Sequence, residues 1–290
     1  MQSTISADQL LTILTTNISE DTRDWISEKL QKILSEPSAR ELYLTYSLLA
    51  NKIDKDTYLE LSDGDPDLTN YFKQHNTRVL ELARIYLLCA VLEEDRSYFS
   101  PKVANLIQIA DTSELETFLR YLALLPNAED FKNAAVESLR TNIATVFDAI
   151  SSRNPYPAEY FNDQQWNQMY LKAAFMQRDL NTILDADKRA NADLARIISD
   201  YAHERWAASR DVDPSFWRPV SNFIEEGLLD DMKRLFASEN VAENRAAALC
   251  CFNSDKTEAQ SLLEGYPDLK EEINSGKITW ANIKDQISYE

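Results

Sequence analysis

The chain has 290 residues, of which 44% are hydrophobic and 4 are glycine, so it can bury a large core but lacks the glycine that turn-rich sandwiches and Rossmann-like sheets use. A formal net charge of −18 without a basic stripe argues against nucleic acid and against an anionic membrane surface as partners. Three cysteines without disulfide or zinc spacing, no signal-peptide pattern and no long apolar run predict a cytoplasmic protein with no membrane insertion.

Apolar residues three and four positions apart predict helices over residues 7–16, 20–34 and 39–49. The segment 78–92 is apolar on several faces, which predicts a central, well-buried helix. A further helix over 113–125 ends at Pro126. Asn127 is placed to cap the helix that follows, which we expect to run to Ile150 and to carry Arg140 and Asn142.

The next helix connection has an unusual density of aromatic and polar residues, RNPYPAEYFNDQQWNQM over 153–169. Its two prolines disfavour helix at the residues before them, so the chain turns a stiff corner at 153–157. Asn162 and Gln165 have the spacing of a capping box, which predicts that a new helix begins there.

The rest of the chain predicts a long helix over 185–210, a proline-containing break at 211–219 and five short helical pieces. The fold class is therefore all-α, either stacked helical hairpins resembling an α-solenoid or an irregular multi-helix array. We expect one domain over 1–290, with a possible internal break near 211–219.

Catalytic and metal-binding motifs are weak, and the sequence predicts no catalytic residue, no metal site and no cofactor. His75 and His203 are far apart, and we expect His203 to lie on a helix face against the ring of Trp206. Asp230 and Asp231 form one incomplete aspartate motif of the kind that holds magnesium against diphosphate, and a solvated helix face accounts for them better.

The corner has two interpretations. In the structural one, its aromatic rings pack the corner against neighbouring helices while Arg153 satisfies exposed carbonyl groups. In the functional one, the rings form the wall of a cleft in which arginine and asparagine side chains supply fixed donors. A cleft of that kind suits a planar or isoprenoid-like metabolite, or the helix of a partner protein.

The run ALLP, the segment Arg140-Thr141-Asn142, the corner RNPYP and the run WNQM resemble the signature region of EboA-domain proteins, over about residues 122–176. The resemblance implies a soluble bacterial protein that takes part in moving or processing metabolites, with export of a precursor towards the periplasm as one theme. It implies no reaction and no catalytic residue. The matching positions are the candidate binding residues, namely Arg140, Asn142, Arg153, Asn154, Tyr156, Trp166, Asn167 and Lys172.

Three functions follow from these observations. The preferred one is a non-enzymatic component of a metabolite traffic or export system, a helical scaffold that binds a small metabolite or docks a protein of the same pathway through the corner. The second is an enzyme or enzyme subunit acting on an isoprenoid-like or aromatic metabolite, with Asp230, Asp231 or His203 as ligands or bases. The third is a pure protein-interaction scaffold in which the exposed aromatic residues of the corner bind the partner.

Overall fold

The structure, a computed structural model, describes residues 5–61 and 64–285, and these residues are all-α as predicted. They form no β-strand, although an isolated antiparallel bridge joins Tyr58 and Arg78. Contacts group the chain into two compact units, one up to Tyr160 and one from Phe161. No helix among the described residues combines the length and the apolar character needed to cross a membrane.

The first unit contains eleven α-helices in its described residues. They are α1 (Ala7–Thr15), α2 (Glu20–Ser35), α3 (Ala39–Leu48), α4 (Pro66–Gln74), α5 (Val79–Glu94), α6 (Arg96–Ala104), α7 (Leu106–Ile109), α8 (Thr112–Arg120), α9 (Lys132–Ser138), α10 (Ala144–Ser151) and α11 (Tyr156–Tyr160). The predicted helices over 7–16, 20–34 and 39–49 are confirmed to within a residue or so. Each follows an N-cap serine whose hydroxyl accepts a backbone N–H of the first turn, which fixes where the helix begins.

Helix α5 is the centre of the first unit, as its apolar composition predicts. It packs against α1, α2, α6 and α8, and the run from Leu82 to Cys89 is buried without interruption. This arrangement around one central helix matches the irregular multi-helix alternative better than a regular stack of hairpins.

The continuous helix predicted from Asn127 to Ile150 is wrong. Asn127 lies in the left-handed region, with φ 52°, and makes no side-chain cap. A 3₁₀ turn and α9 follow it, and the chain leaves the helical path before α10 begins. The break falls where the Thr141 hydroxyl accepts the Ile143 N–H at 3.0 Å, a local bond that competes with the helical pattern.

In its described residues, the second unit contains six α-helices. They are α12 (Asp163–Phe175), α13 (Ala192–Ala207), α14 (Glu226–Phe236), α15 (Val241–Phe252), α16 (Thr257–Leu263) and α17 (Pro267–Asn274). Helix α12 begins with the predicted capping box, in which the Gln165 N–H donates to Asn162 Oδ1 at 2.9 Å and the Asn162 N–H donates to Gln165 Oε1 at 3.0 Å.

Two segments of the second unit differ from the prediction or refine it. The helix predicted over 185–210 begins at Ala192, where the Asn191 side chain accepts the Leu194 N–H at 2.9 Å, and Asp185 before it lies in the left-handed region, with φ 58°. The break at 211–219 runs into a 3₁₀ helix, Pro214–Phe223, which packs between α13 and α15 and buries Phe216 and Trp217 completely. This break therefore lies inside the second unit, and the single domain over 1–290 stays a prediction.

Candidate functional site

The first unit has an open cleft of about 420 Å³. Its walls come from the end of α4, the first two turns of α5, residues along the whole of α8, the end of α10 and the segment around Tyr58. The antiparallel bridge between Tyr58 and Arg78 holds that segment against the start of α5, with the Leu59 N–H donating to the Thr77 carbonyl at 3.0 Å. The cleft is thus built where several helix ends meet.

Positive charge dominates the lining of the cleft. The cationic lining residues are Lys55, Arg78, Arg84, Arg120 and Arg153, and the acidic ones are Glu81, Glu116 and Asp148. Five cations against three acids give the lining a formal surplus of two positive charges, of which the buried Glu114, 3.7 Å from Arg84, offsets one, in a chain whose net charge is −18. A local surplus of this sign attracts anions, because a cleft with low-dielectric walls concentrates the field of its charges.

Arg84 lies deepest among these cations, with 2% of its surface exposed. Its Nη1 donates to Ser113 Oγ at 3.3 Å, its Nη2 lies 3.7 Å from Glu114 Oε1, and its guanidinium stacks over the Tyr46 ring. Its Nε has no hydrogen-bond acceptor among the described residues. The guanidinium is therefore held in place by neighbours that leave one buried donor unsatisfied.

Glu81 organises the two arginines nearest the start of α5. One carboxylate oxygen accepts from Arg120 Nη1 at 2.5 Å, and the other accepts from the Arg78 backbone N–H at 2.8 Å. The Arg78 guanidinium also lies over the Tyr58 ring, 5.7 Å from its centre. These contacts fix the positions of both guanidinium groups before any ligand enters.

His75 supplies a neutral polar group to the cleft. Burial and, to a smaller extent, the nearby Arg120 guanidinium together lower the pKa of His75 to about 4. Its Nε2 donates to the Arg153 carbonyl at 3.3 Å, and its ring packs edge-on against Tyr71. At neutral pH this imidazole therefore carries no charge and adds nothing to the positive surplus.

Arg153 is the predicted corner residue that lines this cleft. Its backbone lies in the left-handed region, with φ 52°, which turns the chain out of α10. Arg140 and Asn142 are exposed on the broken segment between α9 and α10, where Arg140 pairs with Glu137 at 3.1 Å. The lining residues of the cleft include neither of these two.

Asn154 and Tyr156 are buried and bonded to the backbone of the first unit. The Asn154 amide donates to the carbonyls of Leu119 and Ala149 at 3.0 and 2.8 Å, and the Tyr156 hydroxyl donates to the Ala128 carbonyl at 2.8 Å. The structural interpretation assigned exposed carbonyls to Arg153; at these two carbonyls the donor is the Asn154 amide. The expectation that the Tyr156 ring is exposed is also wrong, since none of it is accessible.

The remaining candidates lie in the second unit. Trp166 is 1% exposed, with the Arg189 guanidinium 4.9 Å from its ring centre. Asn167 is buried and exchanges two amide hydrogen bonds with Asn191, at 3.0 and 2.9 Å. Lys172 is partly exposed, and burial lowers the pKa of its ammonium group. Trp166 and Asn167 thus have internal partners that help to hold α12 and the segment before α13 in place.

The residues proposed for the enzyme alternative are arranged in a way that the sequence did not indicate. His203 Nε2 lies 2.6 Å from Asp231 Oδ1, and the Ser199 hydroxyl donates to Asp231 Oδ2 at 2.6 Å. Asp231 is buried, whereas Asp230 is exposed and pairs with Lys233. The two adjacent aspartates therefore point into different surroundings and do not form a shared magnesium site.

The predicted contact between His203 and Trp206 is confirmed, with ring centres 5.4 Å apart. Among residues 5–61 and 64–285, no three His, Cys, Asp or Glu side chains lie together in a way that could hold a metal ion.

The cleft of the first unit was not predicted from the sequence. Arg84 was the available signal, because a charged residue inside the apolar run LELARIYLLCAVL needs a special partner.

Comparison with known proteins gives one broad match and one short one. The family model described as "Metabolite traffic protein EboA" matches residues 6–221. The DNA mismatch repair protein MutS of Pelotomaculum thermopropionicum is 37% identical over 124 residues, which cover 40% of this chain and 13% of MutS. The chain thus spans a small fraction of that relative's length. No solved structure matches.

Proposed function

The chain belongs to the EboA family of metabolite traffic proteins, and from this premise we propose that it takes part in that traffic by binding a small anionic metabolite in the cleft of the first unit. The binding would be reversible and non-enzymatic, with the helical scaffold holding its cationic side chains in place. The site then shares the concave surface of a small-molecule pocket, and its lining of charged and polar residues suits an anion rather than an apolar ligand.

The observation that carries this proposal is the surplus of positive charge in the cleft of a strongly acidic chain. Elsewhere, surface arginines such as Arg23 and Arg140 pair with acids one turn away or adjacent in sequence. In the cleft the cations outnumber the acids, and Glu81 is already engaged by Arg120 and by a backbone N–H. An anionic ligand would balance the charge that the protein leaves uncompensated.

The role of the corner remains part of the proposal. Arg153 belongs to the cleft, so it would contact the metabolite directly. Asn154 and Tyr156 would act through the backbone that they position beside it. Arg140 and Asn142 are exposed, which leaves them available to a protein of the same pathway.

The test is native mass spectrometry of protein purified gently from its own host, with denatured spectra to identify any small molecule that is released. We expect an anionic molecule in the wild type, loss of that molecule in an Arg78→Ala/Arg153→Ala double variant, and its retention in Arg23→Ala. Arg23 is the matched control because it is an exposed arginine of the same unit whose carboxylate partners are Glu20 and Asp24.

Equal retention by the double variant would show that the molecule binds elsewhere. An Arg140→Ala variant distinguishes the corner from the cleft. If Arg140→Ala releases the molecule while Arg78→Ala/Arg153→Ala does not, the binding site is the corner predicted from the sequence. If a partner protein is lost in Arg140→Ala with the small molecule retained, the corner is a docking surface.

A further inference from the structure

The cations of the cleft are mostly arginines, four of them beside a single lysine. A guanidinium presents several N–H donors in a fixed plane and can bind two oxygens of one anion at once, which an ammonium group cannot do. Arginine clusters are therefore typical of sites that recognise phosphate or carboxylate groups by geometry as well as by charge. This composition narrows the class of anion that the cleft can hold.

The first turn of α5 adds a second positive feature. Arg78, Leu80 and Glu81 line the cleft from this turn, and α5 is 16 residues long. The N-terminal end of such a helix carries a partial positive charge from its aligned peptide dipoles. The N-cap residue is Arg78, whose side chain has no acceptor atom and makes no cap bond. The Glu81 carboxylate accepts the Arg78 N–H at 2.8 Å and the Thr57 carbonyl accepts the Val79 N–H at 3.0 Å, so the helix end adds its dipole to the cleft with part of its N–H groups already paired.

Arg84 provides the independent sign of a missing acceptor. Arg84 lines the cleft although only 2% of its surface is exposed. Its Nε has no acceptor among the described residues. Buried donors in native proteins are nearly always paired, so an unpaired one calls for an explanation such as an absent ligand. Oxygen atoms of an anion in the cleft would complete the hydrogen bonding around this guanidinium.

The guanidinium donors of the cleft suit an anion with several oxygens. The lining carries two more positive than negative charges, Glu114 beside Arg84 offsets one of them, and His75 adds none at neutral pH. A phosphate monoester carries about −1.5 to −2 at pH 7, with three strong acceptor oxygens. A monocarboxylate offers two oxygens in a single plane, so it would leave more of the arginine donors without an acceptor.

We propose that the metabolite held in the cleft carries a phosphate monoester group, bound by the guanidinium groups of Arg78, Arg84, Arg120 and Arg153 at the first turn of α5. This inference rests on the proposed function, because it names the chemical class of the anion for the same cleft. Tyr58, which is 56% exposed, lies at the rim and offers a ring face or hydroxyl to the rest of the molecule.

The experiment is calorimetric titration of the full chain at constant ionic strength with two probes, glycerol 3-phosphate and succinate, which carry similar charge at pH 7.5. We expect saturable binding of glycerol 3-phosphate and much weaker binding of succinate. Arg78→Ala and Arg153→Ala should each weaken phosphate binding about tenfold, since a hydrogen bond to a charged group has roughly that effect. Arg23→Ala should bind like the wild type.

A pH series supplies a further readout. The second ionisation of a phosphate monoester has a pKa near 6, so lowering the pH from 7.5 to 5.5 should weaken binding as the dianion takes up a proton. The other titratable and charged groups at the cleft are Lys55, Glu81, Glu116 and Asp148, together with the four arginines, His75 and Glu114, which lies beside Arg84. The same series with a sulfate monoester, which keeps one negative charge throughout, separates ligand protonation from titration of these groups.

The outcomes distinguish this inference from the proposed function. Saturable succinate binding that exceeds phosphate binding and is lost in Arg78→Ala/Arg153→Ala would overturn the phosphate assignment and leave the anion-binding function in place. Phosphate binding that is equal in the double variant and the wild type would overturn the site. If neither probe binds and native mass spectrometry finds no retained anion, both proposals fail.

Discussion

Asn154 offers the sharpest test of whether the corner is built for structure or for binding. Its side chain joins the C-terminal ends of two helices by donating to the carbonyls of Leu119 in α8 and Ala149 in α10. Its Oδ1 also accepts the Tyr156 N–H at 2.9 Å. These backbone groups lack helical partners because the last turn of each helix leaves its carbonyls unsatisfied. We therefore expect Asn154→Ala to destabilise the first unit strongly.

The magnitude follows from the groups that the substitution leaves behind. Asn154 is 2% exposed, so water does not readily replace its three bonds of 2.8 to 3.0 Å. Each buried backbone group left unpaired costs about 1–3 kcal/mol. Partial relaxation of the corner reduces the sum, and we expect a loss of roughly 3–5 kcal/mol in the free energy of unfolding, towards the upper end for single substitutions.

The assay is urea unfolding followed by far-ultraviolet circular dichroism, with the midpoint and slope fitted separately. Asn142→Ala is the matched control because Asn142 is an exposed asparagine of the same unit, just before α10. This substitution should change the unfolding free energy by less than about 0.5 kcal/mol. Asn154→Asp keeps the acceptor for Tyr156 but turns a carboxylate oxygen towards the Leu119 and Ala149 carbonyls, so it should be at least as destabilising as alanine.

An Asn154→Ala variant that unfolds within about 1 kcal/mol of the wild type would refute this reasoning. Such a result would mean that the corner relaxes freely or that water satisfies the carbonyls. Loss of metabolite binding in that stable variant would then assign Asn154 to the site directly. A large loss of stability would place Asn154 among the residues that support Arg153.

Two further predictions concern titratable groups. Burial and the Arg120 guanidinium lower the pKa of His75 to about 4 from an ordinary 6.5. The unfolded chain therefore binds more protons than the folded chain between these pH values, and the free energy of unfolding should fall as the pH drops from 6.5 to 4. His75→Gln should show a smaller fall over that range in parallel urea titrations, and an identical pH dependence would contradict the assignment. Burial raises the pKa of the Cys251 thiol to about 12, and it raises the pKa values of Cys89 and Cys250 well above their ordinary value. A thiol reagent at pH 8 should therefore label no cysteine rapidly until the chain is unfolded. Rapid labelling of one thiol in the folded protein, measured by mass spectrometry, would show that its helix opens locally.

The family assignment and the all-α fold could be predicted from the sequence because their signals are local. The apolar periodicity of the first three helices, the capping box at Asn162 and the apolar run of α5 depend on residues within one or two turns, and each was confirmed. Errors arose where a local bond or a backbone conformation interrupted a helical pattern, as at Thr141 and Asp185. Apolar periodicity continues through such points, so it does not reveal them.

The candidate site depended on contacts that periodicity does not report. The sequence identified Arg153 from a resemblance and placed Asn154 and Tyr156 beside it, but their burial follows from bonds to α8, α10 and the turn at Ala128. His203 and Asp231 are 28 positions apart, and the sequence named no partner for the histidine. In each case the partner lies on another helix, whose approach is set by packing.

By itself, the sequence determined the all-α class, the net negative charge and the family, because charge, capping and helical periodicity act over a few residues. The tertiary structure decided which arginines meet. Lys55, Arg84, Arg120 and Arg153 come from separate parts of the first unit, and none has a spacing that predicts a common site. Packing around α5 brings them to one cleft, since side chains on different helices share a surface only after those helices bury their apolar faces together.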